Sequence, residues 1–171
     1  MPKKEKKFLP PVIWAPWREG FILGEKEKGC IFCRRIRRKK DKPDLILCRG
    51  EKNIVIMNLY PYTSGHLMIV PNRHIAELSD LAPDESAEMV ELAARALEVM
   101  KKMMRPQGFN LGMNLGRAAG AGVAGHLHLH VVPRWAGDAN FMPVVGKTKV
   151  FSVGLQKTYD LLYPLLRGQG K

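Results

Sequence analysis

Three histidines alternate with leucines in segment 126–132, whose sequence is His-Leu-His-Leu-His-Val-Val. Successive side chains of a β-strand point to opposite faces, so this alternation places three imidazoles on one face, about 6.6 Å apart, and the leucines on the other. The leucine face is suited to packing in a core, whereas a row of imidazoles is typical of a functional site. The segment therefore predicts a sheet strand with a site on its histidine face.

Other segments of the chain have strand or helix patterns. The strand candidates, together with the histidine strand, are residues 45–49, 53–58, 65–70, 109–114 and 126–133. Apolar residues recur at helical spacing from Met89 to Met103, after an acidic start and before a basic end. Five strands and one main helix predict a domain of the α+β class.

The spacing of the three imidazoles leaves two chemical uses open. They could form a catalytic metal site, although such a site also needs a ligand from another element and an open position for water. Alternatively, one imidazole could attack phosphorus while its second nitrogen is held by an acceptor. The glycine-rich loop at 116–125 offers backbone amides for phosphate oxygens, which favours the nucleophilic use.

The composition is that of one folded domain with a strong positive charge. The 171 residues are 46% apolar and 26% charged, and 28 Lys and Arg against 16 Asp and Glu give a formal net charge of +12. Residues 1–7 carry +3 and residues 34–42 carry +6. Such runs are solvated surface or attract polyanions, so a nucleic-acid-binding module is a second class of function. Aromatic residues, at 8%, do not interleave with the basic runs, which argues against nucleic acid.

The chain contains three cysteines, which cannot all pair with one another. Cys30 and Cys33 have the CxxC spacing that, in a reducing compartment, indicates metal binding or redox chemistry. Cys48 lies in a strand candidate and is predicted to pack in the core. The sequence shows neither an apolar run of membrane-spanning length nor the pattern of a secretory signal. We therefore expect a cytoplasmic protein without a membrane partner.

Two signatures resemble the histidine triad superfamily of nucleotide hydrolases and transferases. Segment 126–132 fits the superfamily's alternating histidine motif, and residues 58–75 are similar to its second signature, an Asn, a Gly-His pair and a Pro-x-x-His. Residues 9–22, with Trp-Ala-Pro-Trp-Arg at 14–18, and residues 132–141 resemble the bacterial branch that contains diadenosine tetraphosphate (Ap4A) phosphorylases. The resemblance covers about residues 14–158.

This resemblance implies a fold, a domain organisation and an assembly. The fold is α+β, with a five-stranded, mainly antiparallel sheet, one long helix and smaller peripheral helices. Residues 1–13 would form a basic N-terminal tail, residues 14–160 a single histidine triad (HIT) domain and residues 161–171 a C-terminal tail. A homodimer is expected, with strands continuing across a two-fold axis. The expected substrate is a dinucleoside polyphosphate or a mononucleotide.

The resemblance also implies roles for the site residues. His128 would be the nucleophile, and its attack on the α-phosphorus would give a nucleotidyl-histidine intermediate. The backbone carbonyl of His126 would orient His128. His130 would contact the reacting phosphate, and His66 would support the triad from the neighbouring strand. The implied substrate-binding residues are Asn58 for the ribose and, along the phosphate path, Asn114, Gly120, Ala121 and Gly122.

The loop departs from the phosphorylase pattern in one place. The chain has Ala121-Gly122 where that branch usually has a Gly-Ser pair, so a hydroxyl near the incoming acceptor is missing. With inorganic phosphate as the acceptor, the enzyme would convert Ap4A to ADP and ATP. With water as the acceptor, it would hydrolyse the same or simpler adenylated substrates. The branch-like flanking segments favour phosphorolysis.

A structural zinc ion is also implied. Zinc-containing members of the superfamily combine a CxxC motif with two histidines, and the matching residues here are Cys30, Cys33, His74 and His126. Closed tetrahedral coordination is typical of structural zinc. The ion would therefore fix the N-terminal segment to the histidine strand rather than activate water.

Overall fold

The computed structural model describes residues 29–138 and 153–167. The predicted N-terminal tail and the branch-like residues at 14–18 and 139–141 lie outside this part of the chain. The helices are α1 (Ile31–Arg38), α2 (Asp41–Asp44), α3 (Pro83–Met104) and α4 (Leu155–Arg167), and the strands are β1 (Ile46–Arg49), β2 (Asn53–Met57), β3 (Leu67–Pro71), β4 (Gly108–Gly112) and β5 (Leu129–Arg134). Among the described residues, no helix is long and apolar enough to cross a membrane.

The five strands form one sheet in the order β1-β2-β3-β5-β4, and every neighbouring pair is antiparallel. This arrangement, with the long helix α3, confirms the predicted α+β fold. The histidine strand β5 lies between β3 and β4, with His130 opposite Met68 of β3. A site on β5 is therefore flanked on both sides by paired strands.

The two faces of the sheet pack against different helices. One face, which includes Val55 and Val131, packs against the apolar stripe of α3 and against α4. The other face, which includes Ile56 and Met68, is covered by Phe32 of α1. Because strand side chains alternate, β2 and β3 bury residues on both faces. Each fully buried large apolar side chain contributes about 1.5–3 kcal/mol.

The histidine strand begins at Leu129, three residues later than predicted. Its ladder with β3 ends at the pair formed by Ile69 and Leu129. Beyond that pair β3 ends in Pro71, which has no N–H to donate, and the Leu127 N–H donates instead to the Ile75 carbonyl oxygen at 2.7 Å. The residues before Leu129 therefore belong to a turn that leads into the strand.

Helix α4 crosses the domain boundary that we placed at residue 160. Its residues Tyr159, Leu162 and Leu166 are buried in the core, and the Tyr159 hydroxyl donates to the Ile46 carbonyl oxygen at 3.1 Å. Residues 161–167 thus belong to the packed domain and not to a tail. A proline, Pro164, lies inside the helix and obscures its pattern in the sequence.

Candidate functional site

The three triad histidines are all buried on the α1 side of the sheet. Their exposed fractions are 1% for His126, 6% for His128 and 8% for His130. The ring of Phe32 packs against two of them, with centroid distances of 5.4 Å to His126 and 5.2 Å to His128. The side chains on the opposite face, including Leu129 and Val131, pack in the core formed with α3. The predicted division into a core face and a histidine face is therefore confirmed.

His128 is oriented by the main chain. Its Nδ1 atom lies 2.8 Å from the carbonyl oxygen of His126, and since a carbonyl oxygen only accepts, Nδ1 carries the proton. The Nε2 atom then keeps an unprotonated lone pair. Burial lowers the pKa of His128, and the hydrogen bond to the His126 carbonyl opposes this only in part. The neutral form, which is the nucleophilic one, is therefore favoured at neutral pH.

A relay of hydrogen bonds sets the protonation of His130. The backbone N–H of Tyr62 donates to His66 Nδ1 at 3.0 Å, so the proton of His66 lies on Nε2. This Nε2 donates to His130 Nδ1 at 2.9 Å, which leaves the proton of His130 on its own Nε2. Burial lowers the pKa of His130 to about 4, and repulsion between the charged forms of His130 and His128 is the smaller cause. His130 is thus a neutral imidazole that presents an N–H.

That N–H group points to a ligand. His130 Nε2 is a buried side-chain atom without a hydrogen-bond partner among the described residues. A buried donor without a partner is unfavourable by about 1–3 kcal/mol, so such atoms in native sites are commonly satisfied by a substrate. A phosphate oxygen is an acceptor of the right kind.

The predicted ribose residue lies next to this relay. Asn58 Nδ2 lies 3.4 Å from His66 Nδ1, and Asn58 Oδ1 accepts the Tyr60 N–H at 2.9 Å. Asn58 follows β2 directly, and its N–H donates to the His66 carbonyl oxygen. The structure thus brings Asn58 to the triad. Its contact with a ribose stays a prediction.

The glycine-rich loop is partly closed on itself. The N–H of Gly120 donates to the Arg117 carbonyl oxygen at 3.0 Å, and the N–H of Ala121 donates to that of Gly116 at 3.3 Å. These two amides therefore donate within the loop, and a place for Gly120 and Ala121 along the phosphate path stays a prediction. Gly116 and Gly120 have φ angles of 78° and 86°, a region that favours glycine.

A cavity of about 1010 Å³ adjoins the triad at His130. Asn114, one of the predicted substrate-binding residues, lines it together with Thr63 and Ser64 of the turn that precedes His66. His128 and Asn58 are not part of the described lining, so the cavity extends from His130 toward β4.

Four residues form a candidate metal centre beside the triad. One ligand atom from each of Cys30, Cys33, His74 and His126 lies within 4.8 Å of the other three. His126 Nδ1 lies 3.2 Å from Cys30 Sγ and 3.5 Å from Cys33 Sγ, while Cys33 Sγ lies 3.4 Å from His74 Nδ1. Ligand atoms around a tetrahedral ion with bonds of about 2.0–2.3 Å have such separations.

The protonation of His126 fits metal binding. Its Nε2 lies 2.9 Å from the Pro71 carbonyl oxygen and must donate to it, which leaves Nδ1 unprotonated and directed at the cysteines. His74 Nδ1 lies only 3.2 Å from this Nδ1, a distance at which two acceptor nitrogens need a cation or a proton between them. The donor set therefore matches a group able to bind a metal ion.

The alternative of a three-histidine metal site is not supported. Among the described residues, the group of His, Cys, Asp and Glu side chains able to hold a metal contains His126 but neither His128 nor His130. The reason is geometric, because His126 turns its Nδ1 toward α1 and His74, whereas His128 uses its Nδ1 to bind a carbonyl.

Two contributors to the site were not predicted. The Tyr62 N–H donates to His66, and the Phe32 ring packs beside His128. The sequence offered a signal for Phe32, because it is an apolar aromatic residue that lies between two cysteines at the start of a basic segment. No side-chain pattern marks a backbone N–H in a turn.

Known proteins share this architecture. The HIT domain family matches residues 39–137. A protein named AP-4-A phosphorylase from Mycobacterium tuberculosis is 48% identical over 158 residues, which cover 88% of this chain and 81% of that protein. The crystal structure of a zinc-bound histidine triad family protein from Mycobacterium smegmatis has a TM-score of 0.66 and 27% identity, and the match covers 81% of this chain and 93% of that chain. Together with the alternating histidines and the antiparallel sheet, these similarities show that the chain belongs to the HIT domain family.

Proposed function

We propose that the protein is an enzyme that transfers a nucleotidyl group from a dinucleoside polyphosphate to inorganic phosphate, with Ap4A as the substrate. The observation that carries this proposal is the pair formed by an unprotonated His128 Nε2 and a protonated, unpartnered His130 Nε2. A nucleophile beside a hydrogen-bond donor for the developing phosphorane oxygen is what transfer through an imidazole requires. The name of the mycobacterial relative supports Ap4A as the substrate.

The reaction consists of two displacements at the α-phosphorus. In the first, His128 Nε2 forms a bond to phosphorus while the bond to the bridging oxygen breaks, and ATP leaves. His130 donates to a non-bridging oxygen of the reacting group. In the second, a phosphate oxygen attacks the same phosphorus, the bond to His128 breaks, and ADP leaves with neutral His128 restored. The net reaction converts Ap4A and phosphate to ATP and ADP.

The nucleotidyl-enzyme provides a direct test. During turnover of Ap4A labelled with ³²P at the α-phosphorus, acid-labile label should appear on the protein and map to a peptide that contains His128. Label that is absent after rapid quenching, or that maps elsewhere, would contradict the proposal.

Hydrolysis is the alternative that a specific observation favours. The loop lacks a hydroxyl at Ala121-Gly122, so the acceptor phosphate has one fewer potential donor than in the resembling branch. Chromatography of the products distinguishes the two reactions. Phosphorolysis gives ADP with ATP only when phosphate is present, whereas hydrolysis gives AMP with ATP in its absence.

We further propose that the metal centre holds a structural zinc ion. The cysteine and histidine donors are those that zinc prefers, and the similar protein from Mycobacterium smegmatis is zinc-bound. All four tetrahedral positions would be filled by Cys30, Cys33, His74 and His126, which leaves none for substrate. Reduced thiols are stable in a reducing compartment, and we place the protein in the cytoplasm on that basis.

A homodimer is proposed from the free edge of the sheet. Strand β4 pairs only with β5 among the described strands, and its residues Asn110 to Gly112 are exposed. Exposed apolar side chains adjoin this edge, namely Leu111, Leu115 and Met103. An unpaired strand edge with apolar neighbours favours pairing with a second copy around a two-fold axis. Light scattering of the purified protein, with a Leu111→Lys variant expected to be monomeric, tests this assembly.

Nucleic-acid binding receives little support from the basic segment 34–42. Arg38 lies 3.6 Å from Asp44, and Lys42 lies 3.1 Å from Asp160. Part of the positive charge is thus used within the fold. The remaining excess suits a polyphosphate substrate.

A further inference from the structure

Four polar residues lie in a row across one end of the sheet. Asp44 precedes β1, Asn58 follows β2, His66 precedes β3, and His130 is in β5. The Met57 N–H donates to the Leu45 carbonyl oxygen, and the Asn58 N–H donates to that of His66, so these strand ends are paired. Strands β1 and β5 are three strand spacings apart, which is about 14 Å at about 4.8 Å for each spacing. This span is comparable with the length of a nucleoside monophosphate.

Asp44 has an unsatisfied carboxylate oxygen. The residue is only 3% exposed, and its Oδ1 lies 3.6 Å from Arg38 Nη1. Its Oδ2 is buried and has no hydrogen-bond partner within residues 29–138 and 153–167. A buried carboxylate oxygen without a donor is strongly unfavourable, which indicates a missing partner that carries an N–H or O–H group.

Arg35 is the second polar group at this end of the row. It lies one helical turn from Phe32, and the Phe32 ring contacts His128. Helix α1 therefore extends from the neighbourhood of His128 to Arg35. Its guanidinium interacts electrostatically with Asp44 and Tyr60, and in the described part of the chain it forms neither a hydrogen bond nor an ion pair within 4 Å. A half-buried guanidinium with unused donors is suited to a planar ligand with acceptor atoms.

We propose that Arg35 and Asp44 recognise the base of the transferred nucleotide and select adenine. Asp44 Oδ2 accepts a hydrogen bond from the amino group at position 6, and Arg35 donates to the adjacent ring nitrogen. Adenine presents this donor beside this acceptor on one edge. Hypoxanthine and guanine place a carbonyl oxygen at position 6, which the carboxylate repels.

The inference rests on the proposed function in one respect, because it places the ribose at Asn58 and the phosphate at His128. The test therefore uses equilibrium binding, which does not depend on turnover. The ligands are AMP and purine riboside 5′-monophosphate, which lacks only the amino group. Calorimetry is performed on the full-length zinc-loaded protein and on three variants: Asp44→Asn, Arg35→Met and, as the matched control, Arg37→Met. Arg37 is an exposed residue of the same helix and carries the same charge.

We expect the wild-type protein to bind AMP at least about tenfold more tightly than purine riboside 5′-monophosphate. A hydrogen bond to a charged group contributes an affinity difference of about this size. Asp44→Asn should reduce this preference severalfold, because its neutral amide oxygen still accepts a hydrogen bond but accepts it less strongly than a carboxylate does. Arg35→Met should weaken the binding of both ligands about tenfold, because both keep the ring nitrogen, whereas Arg37→Met should change neither.

Equal binding of the two ligands by the wild-type protein, or identical behaviour of Arg35→Met and Arg37→Met, would overturn the inference. A fall in melting temperature of Asp44→Asn with the AMP preference intact would show that Asp44 serves only the fold. If Asp44→Asn does not fold, the inference is still tested by the preference of the wild-type protein and by the comparison of Arg35→Met with Arg37→Met. A failure of the proposed function is separable, because it appears as a missing nucleotidyl-enzyme and leaves these binding ratios unaffected.

Discussion

The Nδ1 atom of His128 lies 2.8 Å from the backbone carbonyl oxygen of His126. This hydrogen bond assigns the ring proton to Nδ1 and leaves the lone pair of Nε2 unprotonated. An imidazole nitrogen can attack phosphorus only when it carries no proton. The backbone conformation at His126 therefore controls whether Nε2 of His128 is available for such an attack.

Replacing His128 should stop the chemical step and preserve ligand binding. Since the imidazole forms a bond to phosphorus, His128→Asn should lower kcat by about 10³-fold or more. The affinity for AMP should change by less than about fivefold, because the His130 N–H and the ribose contact remain. Turnover of Ap4A and calorimetry with AMP measure the two quantities. Near-normal turnover by the variant would exclude His128 as the nucleophile.

His66 is a positioning residue, and its replacement should have a smaller effect. His66→Ala removes the group that fixes the proton of His130, so kcat should fall about tenfold to a hundredfold with little change in KM. His66→Gln should restore part of the rate, because its amide accepts from Tyr62 and donates to His130. If both variants are equally impaired, the hydrogen-bond relay does not act as described.

Removal of one cysteine of the metal centre should release the metal and destabilise the fold. Cys33→Ser should contain less than one zinc per chain and unfold at a lower temperature, since structural zinc contributes several kcal/mol. Cys48→Ser is the control, because Cys48 is buried in the core and lies outside the metal group. Metal analysis and thermal unfolding are the measurements. Unchanged zinc content in Cys33→Ser would contradict the assignment.

Adding the missing hydroxyl should favour phosphate as the acceptor. A Cβ atom at Gly122 meets no atom within 4 Å, and its φ is not in the left-handed region, so Gly122→Ser fits without strain. One added hydrogen bond should raise the ratio of ADP to AMP among the products about threefold to tenfold. Gly120→Ser is the contrasting variant, because its φ of 86° strains any side chain. An unchanged product ratio in Gly122→Ser would show that this position does not contact the acceptor.

The start of the long helix should be sensitive to acid. Hydrogen bonds from Arg73 lower the pKa of Glu85 from 4.5 to about 2, and the Glu85 carboxylate also accepts the Ala82 N–H. A depressed pKa stabilises the fold above the unfolded value near 4.5, and this stabilisation is lost as the pH falls toward 2. Glu85→Gln should therefore lower the free energy of unfolding by about 1–2 kcal/mol at pH 7.

The difference between wild type and Glu85→Gln should shrink as the pH is lowered from 5 to 2. Urea unfolding across this range measures it. Glu98→Gln is the control, because Glu98 is exposed and its ion pair with Lys101 lies at the surface. A difference that stays constant with pH would show that the charge of Glu85 is not what stabilises the helix.

Much of the sheet could be predicted because side-chain alternation carries information on both faces. The histidines at 126–130 alternate with leucines, which predicted the core face of β5, whereas β2 and β3 were predicted from short apolar runs that are buried on both faces. The antiparallel pairing was implied by the family resemblance. Helix α4 was harder to predict from the sequence, because Pro164 interrupts its helical pattern and its buried residues contact elements that are distant in sequence. Packing partners of that kind are set by the tertiary fold.

The sequence predicted which residues form the candidate site, but not which ring nitrogen of each histidine carries the proton. The resemblance named His66, His128 and His130, and the structure brings them together. The tautomers depend on the Tyr62 N–H and the His126 carbonyl, which every residue type supplies. Likewise, the unsatisfied Oδ2 of Asp44 is a consequence of burial, and composition does not show it.

The acceptor that holds His128 is a main-chain atom, and this has an evolutionary consequence. A carbonyl group is present whatever residue occupies position 126, so no single codon change there can delete it. Only a displacement of the backbone can do so, and the side chain of His126 joins that backbone to the metal centre. Selection can therefore alter the surroundings of His128 at this point by changing the residues of the metal centre, but not by exchanging the hydrogen-bonding group itself.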